Sequence, residues 1–437
     1  MELLARVSDH LRSLGLPPGR VLVAVSGGPD SVALLDLLCR TRDVHELEPV
    51  VGHVDHGIHP DSAAVARQVT ALAAELGLPC HVEAVALGSA AGETDAREAR
   101  YRLLFALADR LGIGPVVTAH HADDQLETIL LRVLGGSGPA GLAGMASVTG
   151  RLVRPLLPFR RDELTRYVDE RGLTVWHDPS NRDPVHLRSW LRQELLPVIR
   201  RRLPDADAHL ARVGTQAARD RRAWDLLLDR LPDLETRTEQ DGISVAANCL
   251  RSYDSMLAEA VLLAIGRRVG CPLGPARTAR VLALLGGSSG RTAPLAQGWR
   301  AELSFGRLRL VSPGMAAGSV ELRGAEGRDD WGRWRLTWRT EPAPERQARD
   351  GFTAWFRPAP LLVRPWSPGD RVRPLAGTGH RLVVRCFQDA RVPRSRREAW
   401  PVVTGGASVV WIPGVCRSDA LLPSPGVEAL RVDAEHA

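Results

Sequence analysis

Between residues 20 and 134 the chain alternates four times between a short β-rich run and a helical pattern, which points to a parallel, doubly wound α/β sheet. Strands are expected at 21–25, 49–54, 80–87 and 115–119, and helices at 31–40, 61–76, 94–111 and 123–134, with Thr94 as a helix cap. A further strand and helix are expected at 152–157 and 160–171. Sheets of this type bind ligands beyond the carboxyl ends of their strands, where the strand order reverses. Three polar clusters fall at such ends: SGGPDS at 26–31, Asp55 with His56, and the segment from His120 to Asp124.

The SGGPDS turn, made of Ser26, Gly27, Gly28, Pro29, Asp30 and Ser31, is a phosphate-cradle candidate. Glycine lets the backbone approach an anion closely, and the amides and dipole of the following helix favour negative charge. A Walker A loop it is not, because that motif needs a lysine. All 57 cationic side chains of the 437-residue chain are arginine, a bias of composition more than a functional choice.

At this length two or three domains are expected, since single cores stop growing at roughly 250–300 residues. The expected division is 1–215 for the α/β domain, 216–340 for a mainly helical middle domain and 351–437 for a small β-rich domain, with the polar, proline-containing 341–350 as linker. A net charge of +6 favours a polyanionic partner. Cys39, Cys80, Cys249, Cys271, Cys386 and Cys416 are scattered without metal-ligand spacing and read as small hydrophobes in a reducing compartment. Leu3, Leu4, Val7, Leu11 and Leu14 form the apolar stripe of an amphipathic helix, no run is long enough to span a membrane, and a cytoplasmic protein is expected.

His120, Asp124 and Glu127 are spaced i, i+4 and i+7 and share one helix face. Asp124 or Glu127 suits magnesium with nucleotide phosphates better than structural zinc, while the bland alternative is complementation of the helix dipole. Arg97 and Arg100 are i, i+3 neighbours in the first turns of a helix, where the dipole disfavours cations. Either pyrophosphate favours them there, or Glu93 or Asp95 pairs with one. Arg200, Arg201 and Arg202, and the basic run 391–397 with Arg391 and Arg394, touch RNA phosphate or simply form solvated faces. The glycine-rich 135–145 is a loop bordering the crevice or a surface excursion.

Together SGGPDS, HVDHG, GETDAREARYR, TAHHADDQLET and GGSGPAGLAGM resemble the tRNA(Ile)-lysidine synthetase family of PP-loop ATP pyrophosphatases. WHDPSNRD at 176–183 is similar to the end of that family's catalytic domain, and PGDRVRPL with FQDARVP, between 368 and 393, to its C-terminal domain. Two segments depart from the pattern: Ile58 and His59 replace Leu-Arg, and Ser189 stands for asparagine in an RNxxR-like segment.

The resemblance implies that ATP adenylates the C2 oxygen of the wobble cytidine in an isoleucine tRNA with a CAU anticodon, and that free L-lysine then displaces AMP. Ser26 to Ser31, with His53, Asp55 and His120, would hold ATP; Asp30 and Asp124 would hold Mg2+; and Arg100 would stabilise the charged transition state. The lysine ε-ammonium, with a pKa of about 10.4, is neutral in roughly one molecule in a few thousand at pH 7, so Asp124 or Glu127 would deprotonate it, hold its α-amino group or bind magnesium. The other domains would distinguish this tRNA from the methionine tRNA with the same anticodon, and some members are dimers. The rival readings are a PP-loop tRNA thiolase, which would need a sulfur-carrying cysteine, and an RNA-binding protein with an inactive nucleotide loop.

Overall fold

The computed structural model describes residues 2–55, 57, 61–84, 93–177, 187–239, 241–314 and 318–436, with backbone only for 93–96. His56, Ile58, His59, residues 85–87 of the expected third strand and 178–183 of the WHDPSNRD segment lie outside the described residues. The chain divides into two compact units, Met1–Arg222 and Ala223–Ala437.

In the first unit the expected alternation is present. The elements run α1 (Glu2–Ser13), β1 (Gly19–Ala24), α2 (Pro29–Arg40), α3 (Arg42–His45), β2 (Leu47–Asp55), α4 (Ser62–Glu75), β3 (Cys80–Ala84), α5 (Glu93–Leu111), β4 (Val116–Val117), α6 (Ala122–Leu134), β5 (Val148–Thr149), β6 (Leu152–Val153) and α7 (Arg161–Arg171). The sheet order is β3-β2-β1-β4-β6-β5, parallel apart from the β5–β6 pair. The chain moves outward from β1 through β2 to β3 and returns to β4 on the other side, so β1 and β4 flank the reversal.

Val21, Leu22 and Val23 are fully buried, as expected for a central parallel strand covered on both faces. Helix α5 starts at or before Glu93, so Thr94 lies inside the helix and not at its cap. The strand expected at 152–157 is only β6, because Pro155 has no N–H for the ladder. After α7 come α8 (Leu187–Trp190), a π-helical turn at Leu191–Leu195, α9 (Leu196–Arg202) and α10 (Ala206–Leu228). Pro197, in the first turn of α9, cannot tolerate normal helical packing against the carbonyl four residues back, and the wider π turn accommodates it.

In the second unit the helices Ala247–Ser252, Ser255–Arg268 and Pro275–Leu285 lie on an antiparallel sheet with strand order Arg237–Glu239, Gly242–Ala246, Arg307–Val311, Arg300–Ser304 and Arg291–Pro294. Leu250, Val261, Leu262, Ile265, Val281, Leu303 and Leu310 fill this core. The remainder is β-rich, around a second core that includes Trp331, Trp334, Phe356, Phe387 and Trp411. The segment expected as a linker begins inside a strand: Trp334–Pro342 runs through Glu341 and Pro342, which pair with Ala429 and Glu428 of the final strand. Among the described residues no helix is long and apolar enough to cross a membrane.

The basic run at 391–397 is largely an internal fastening. Glu302, 0% exposed on the antiparallel sheet, accepts hydrogen bonds from the backbone amides of Arg394 (2.8 Å) and Ser395 (2.9 Å). Arg396 is ion-paired to Asp241 and Glu239, and buried Arg397 donates to the Val392 carbonyl. Only Arg391, Arg394 and, in part, Arg396 are left at the surface. Removing the Glu302 carboxylate orphans two partly buried amides, so Glu302→Ala should cost about 2 kcal/mol. Urea unfolding of wild type and variant measures this, and an unchanged midpoint would refute the fastening.

Candidate active site at the strand reversal

Two strand-to-helix turns build the site. After β1, Gly27 adopts φ +86°, and a Cβ there would sit 2.8 Å from Val65 Cγ1, so only glycine fits without displacement. Its carbonyl accepts from the Trp176 amide at 2.9 Å. Gly28 is the extended N-cap of α2 and Pro29 occupies the first turn, where its missing N–H costs nothing. The Ser31 hydroxyl donates to the Gly28 carbonyl (2.9 Å) and accepts from the Ser26 amide (3.2 Å), which locks the turn around the amino end of α2. His53, buried on β2, donates from Nδ1 to the Val25 carbonyl at 2.8 Å, so it braces the turn from below. Asp55 caps its own turn by accepting from the Gly57 amide at 2.8 Å.

After β4 the two histidines point to different tasks. His121 is the N-cap of α6: its Nδ1 accepts from the Asp124 amide (3.3 Å), and Asp124 Oδ2 accepts from the His121 amide (3.1 Å). Its Nε2 lies 3.5 Å from both Asp30 Oδ2 and Asp124 Oδ2. Burial lowers the basicity of His121, but the Asp30 hydrogen bond and the charges of Asp124, Asp30 and Asp123 outweigh it and leave the pKa raised. The cap pulls the other way, because a doubly protonated ring has no Nδ1 acceptor for the Asp124 amide. Burial likewise acts to raise the Asp30 carboxyl, yet the hydrogen bond and charge of His121, with Arg161 and Arg192, hold it below the usual range.

His120 faces arginines. Its Nδ1 donates to Thr118 Oγ1 (2.9 Å), and its Nε2 accepts from Arg97 at 3.4 Å. Burial, then the charges of Arg97, Arg154 and Arg188, push its pKa down to about 3, so at neutral pH it is an uncharged ring. On α5 it is thus Arg97, stacked over Tyr101 at 5.2 Å, that reaches the site, while Arg100 is exposed.

Glu127 is 1% exposed and takes a bidentate pair from Arg192, at 2.7 Å from Nε and 3.0 Å from Nη2. The same arginine stands 3.7 Å from Asp124. Glu127, Asp123, Arg160, Arg161, Arg166 and Arg192 are among the residues lining a cavity of about 580 Å³. Arg200 also lines it, but its guanidinium is ion-paired to Asp123 and Asp207, both at 3.0 Å, whereas Arg201 and Arg202 are exposed. Ser189 is buried.

The residues fit a divalent cation only in part. Asp30 Oδ1 is buried without a hydrogen-bond partner, which suits a ligand oxygen waiting for a cation. Among the described residues no group of three or more acidic, histidine or cysteine side chains forms a metal cage, so a cation on Asp30 would take its other ligands from phosphate and water, the habit of magnesium.

Sequence reasoning names the turn, Asp30, Asp124 and Glu127 as candidates and gives no role to His121, Arg154, Arg161 or Arg192. The adjacent histidines were the available signal for His121. Arg192 lay in plain view in the RxxxR segment, without any local sign that it would meet Glu127.

Residues 3–199 match the family model described as a PP-loop domain, and 361–434 match that of the TilS substrate C-terminal domain. A tRNA(Ile)-lysidine synthase of Geobacter sulfurreducens is 34% identical over 95% of this chain and 93% of its own. One from Symbiobacterium thermophilum is 33% identical over 99% and 98%, and one from Alkalilimnicola ehrlichii is 44% identical over 50% and 49%.

An ordinary histidine titrates near about 6.5, and His120 in the folded chain only at about 3. Between these values the unfolded chain binds a proton that the folded chain refuses, so this residue makes stability fall as pH drops through that window. By about pH 5.5 the effect is on the order of 1 kcal/mol. His120→Asn should therefore lose less stability than wild type between about pH 7.5 and about pH 5 in urea titrations; parallel losses would contradict the assignment.

Proposed function

Because the chain belongs to the tRNA(Ile)-lysidine synthase family, we propose that it joins free L-lysine to C2 of the wobble cytidine of tRNA(Ile) with a CAU anticodon. ATP first adenylates the C2 oxygen, pyrophosphate departs, and the lysine amine then expels AMP; the work is cytoplasmic. The observation that carries this reading is the His121–Asp30 contact between the two turns, with Arg161 and Arg192, which line a cavity of mixed charge, acting electrostatically on Asp30.

In the first step the turn from Ser26 to Ser31 and the amino end of α2 hold the phosphates, whose charge spreads as pyrophosphate leaves. Asp30 would hold Mg2+ through its unpartnered Oδ1, and that ion when bound neutralises phosphate charge and orients the leaving group. Arg97 approaches from the His120 side and supplies the fixed positive charge first expected of Arg100.

The second step needs a zwitterion to be held and one of its amines deprotonated. The cavity offers both signs: Asp123 and Glu127 for ammonium, Arg161 and Arg166 for carboxylate. Both carboxylate oxygens of Glu127 are occupied by the bidentate Arg192 pair. Asp124, nearer His121 and Asp30, therefore takes the proton from the attacking amine.

The test uses labelled lysine, ATP and unmodified tRNA(Ile) transcript with CAU anticodon, with the matching methionine tRNA as control. Label should enter only the first; equal labelling of both, or none, would overturn the reading. Asp124→Asn keeps the helix cap but should lower turnover at least about 100-fold with tRNA affinity within a few-fold, and full turnover would remove Asp124 from the mechanism.

A further inference from the structure

One wall of the cavity is helix α7, which presents Asp162, Thr165 and Arg166 to it at i, i+3 and i+4, together with Arg161 at its start. The other margin of the helix is apolar: Leu164 and Val168 enter the core of the sheet. Apolar contact has no direction, so two such side chains leave the rotation of the helix about its axis loosely defined. Its amino end is fastened by directional bonds, from the Arg161 amide to Asp123 Oδ2 (2.9 Å) and from the Arg160 amide to Glu163 Oε2 (2.9 Å). These hold the first turn and not the turn that carries Arg166.

The later turns are fastened by a carboxylate. Asp36, on α2, is the one charge in the run 32–38 and is 5% exposed. It accepts a hydrogen bond from the Tyr167 hydroxyl and a longer one, at 3.4 Å, from Nε of exposed Arg171. Tyr167 and Arg171 are i and i+4, so both reach Asp36 from one line along α7. Burial, then the hydrogen bond and charge of Asp36, push the Tyr167 phenol up, and it stays protonated as the donor. Packing alone gives no reason for an acid here: Val32, Leu34, Leu35, Leu37 and Leu38 around it are buried, and a carboxylate costs desolvation that another leucine would not. What the acid adds is direction. Tyr167 follows Arg166 in the chain, a fixed 100° of helical rotation away, so holding one aims the other.

Resting on the proposed activity, we propose that Asp36 is a positioning residue for the amino-acid substrate: through Tyr167 and Arg171 it sets the rotation of α7 and so aims Arg166 at the carboxylate of lysine. Asp36 stands about 9 Å along α2 from Asp30 and is not part of the cavity wall, so its action is indirect. Helix α2 does not depend on the contact in return, because residues 31–38 are all buried and the phosphate turn at its amino end keeps its own hydrogen bonds. The clamp therefore acts on the lysine step and leaves adenylation alone.

The experiment uses full-length protein with tRNA(Ile) transcript and reads the two steps separately: pyrophosphate released from ATP without lysine, and labelled lysine incorporated across a lysine concentration series. Asp36→Leu combined with Tyr167→Phe replaces both partners by apolar groups and should keep thermal stability close to wild type. It should raise KM for lysine about tenfold, with lysine-free pyrophosphate release and KM for ATP within about twofold of wild type. Tyr167→Phe alone should raise KM for lysine as well, whereas Asp36→Asn retains an acceptor for the tyrosine and should largely restore it. In an Arg166→Gln background the double change should raise KM for lysine no further, as for two residues acting through one contact. An unchanged KM for lysine in both the double variant and Tyr167→Phe, or an equal fall in both steps, while wild type makes lysidine, would overturn the positioning role alone. Wild type that makes no lysidine would overturn the activity and this role together.

Discussion

The contact between His121 and Asp30 joins the two turns that flank the strand reversal, and the site is organised around it. One partner, partly buried Asp30, stands in the first turn of α2, and the other, fully buried His121, caps α6. A carboxylate in that position is tolerated because the ring, Arg161 and Arg192 offset its desolvation. The same bridge keeps Asp124 in a capping geometry, so the acid assigned to the amine and the acid assigned to the phosphates are held through one imidazole.

Around this bridge the chain uses arginine for every cationic role. A guanidinium stays charged in surroundings that would neutralise an ammonium, which is why buried Arg154 and partly buried Arg97 and Arg192 can stand beside histidine and carboxylates. It is also a poor nucleophile. With no lysine side chain in the sequence, the protein carries no ε-amine of its own to act as a nucleophile.

What the sequence disclosed was local, and what it hid was long-range. The alternation of strands and helices, the glycine of the phosphate turn and the acids of α6 each follow from periodicity or backbone demands within a few residues. Helical spacing put Arg97 and Arg100 on one helix but not in phase with the sheet, and the structure turns Arg97 inward. Glu127 meets its partner across 65 residues, and Glu302 takes the amides of a basic run more than 90 positions away. The apparent linker at 341–350 starts within a strand because its partner is the far end of the chain. No local pattern encodes such pairings.

The π turn at Leu191–Leu195 carries a consequence of a different kind. Such a turn is one residue more than an α-helix requires, so it corresponds to a single-codon insertion. Excising that codon would rewind the helix and swing Arg192 by about 100° around its axis. The buried carboxylate of Glu127 would then face the cavity without its counter-ion, while the hydrophobic layers of the sheet stayed as they are. Because Leu191 and Leu196, on either side of Arg192, are buried in one cluster with Leu130, the charge state of this pocket and the packing beneath it are set by the same helical register.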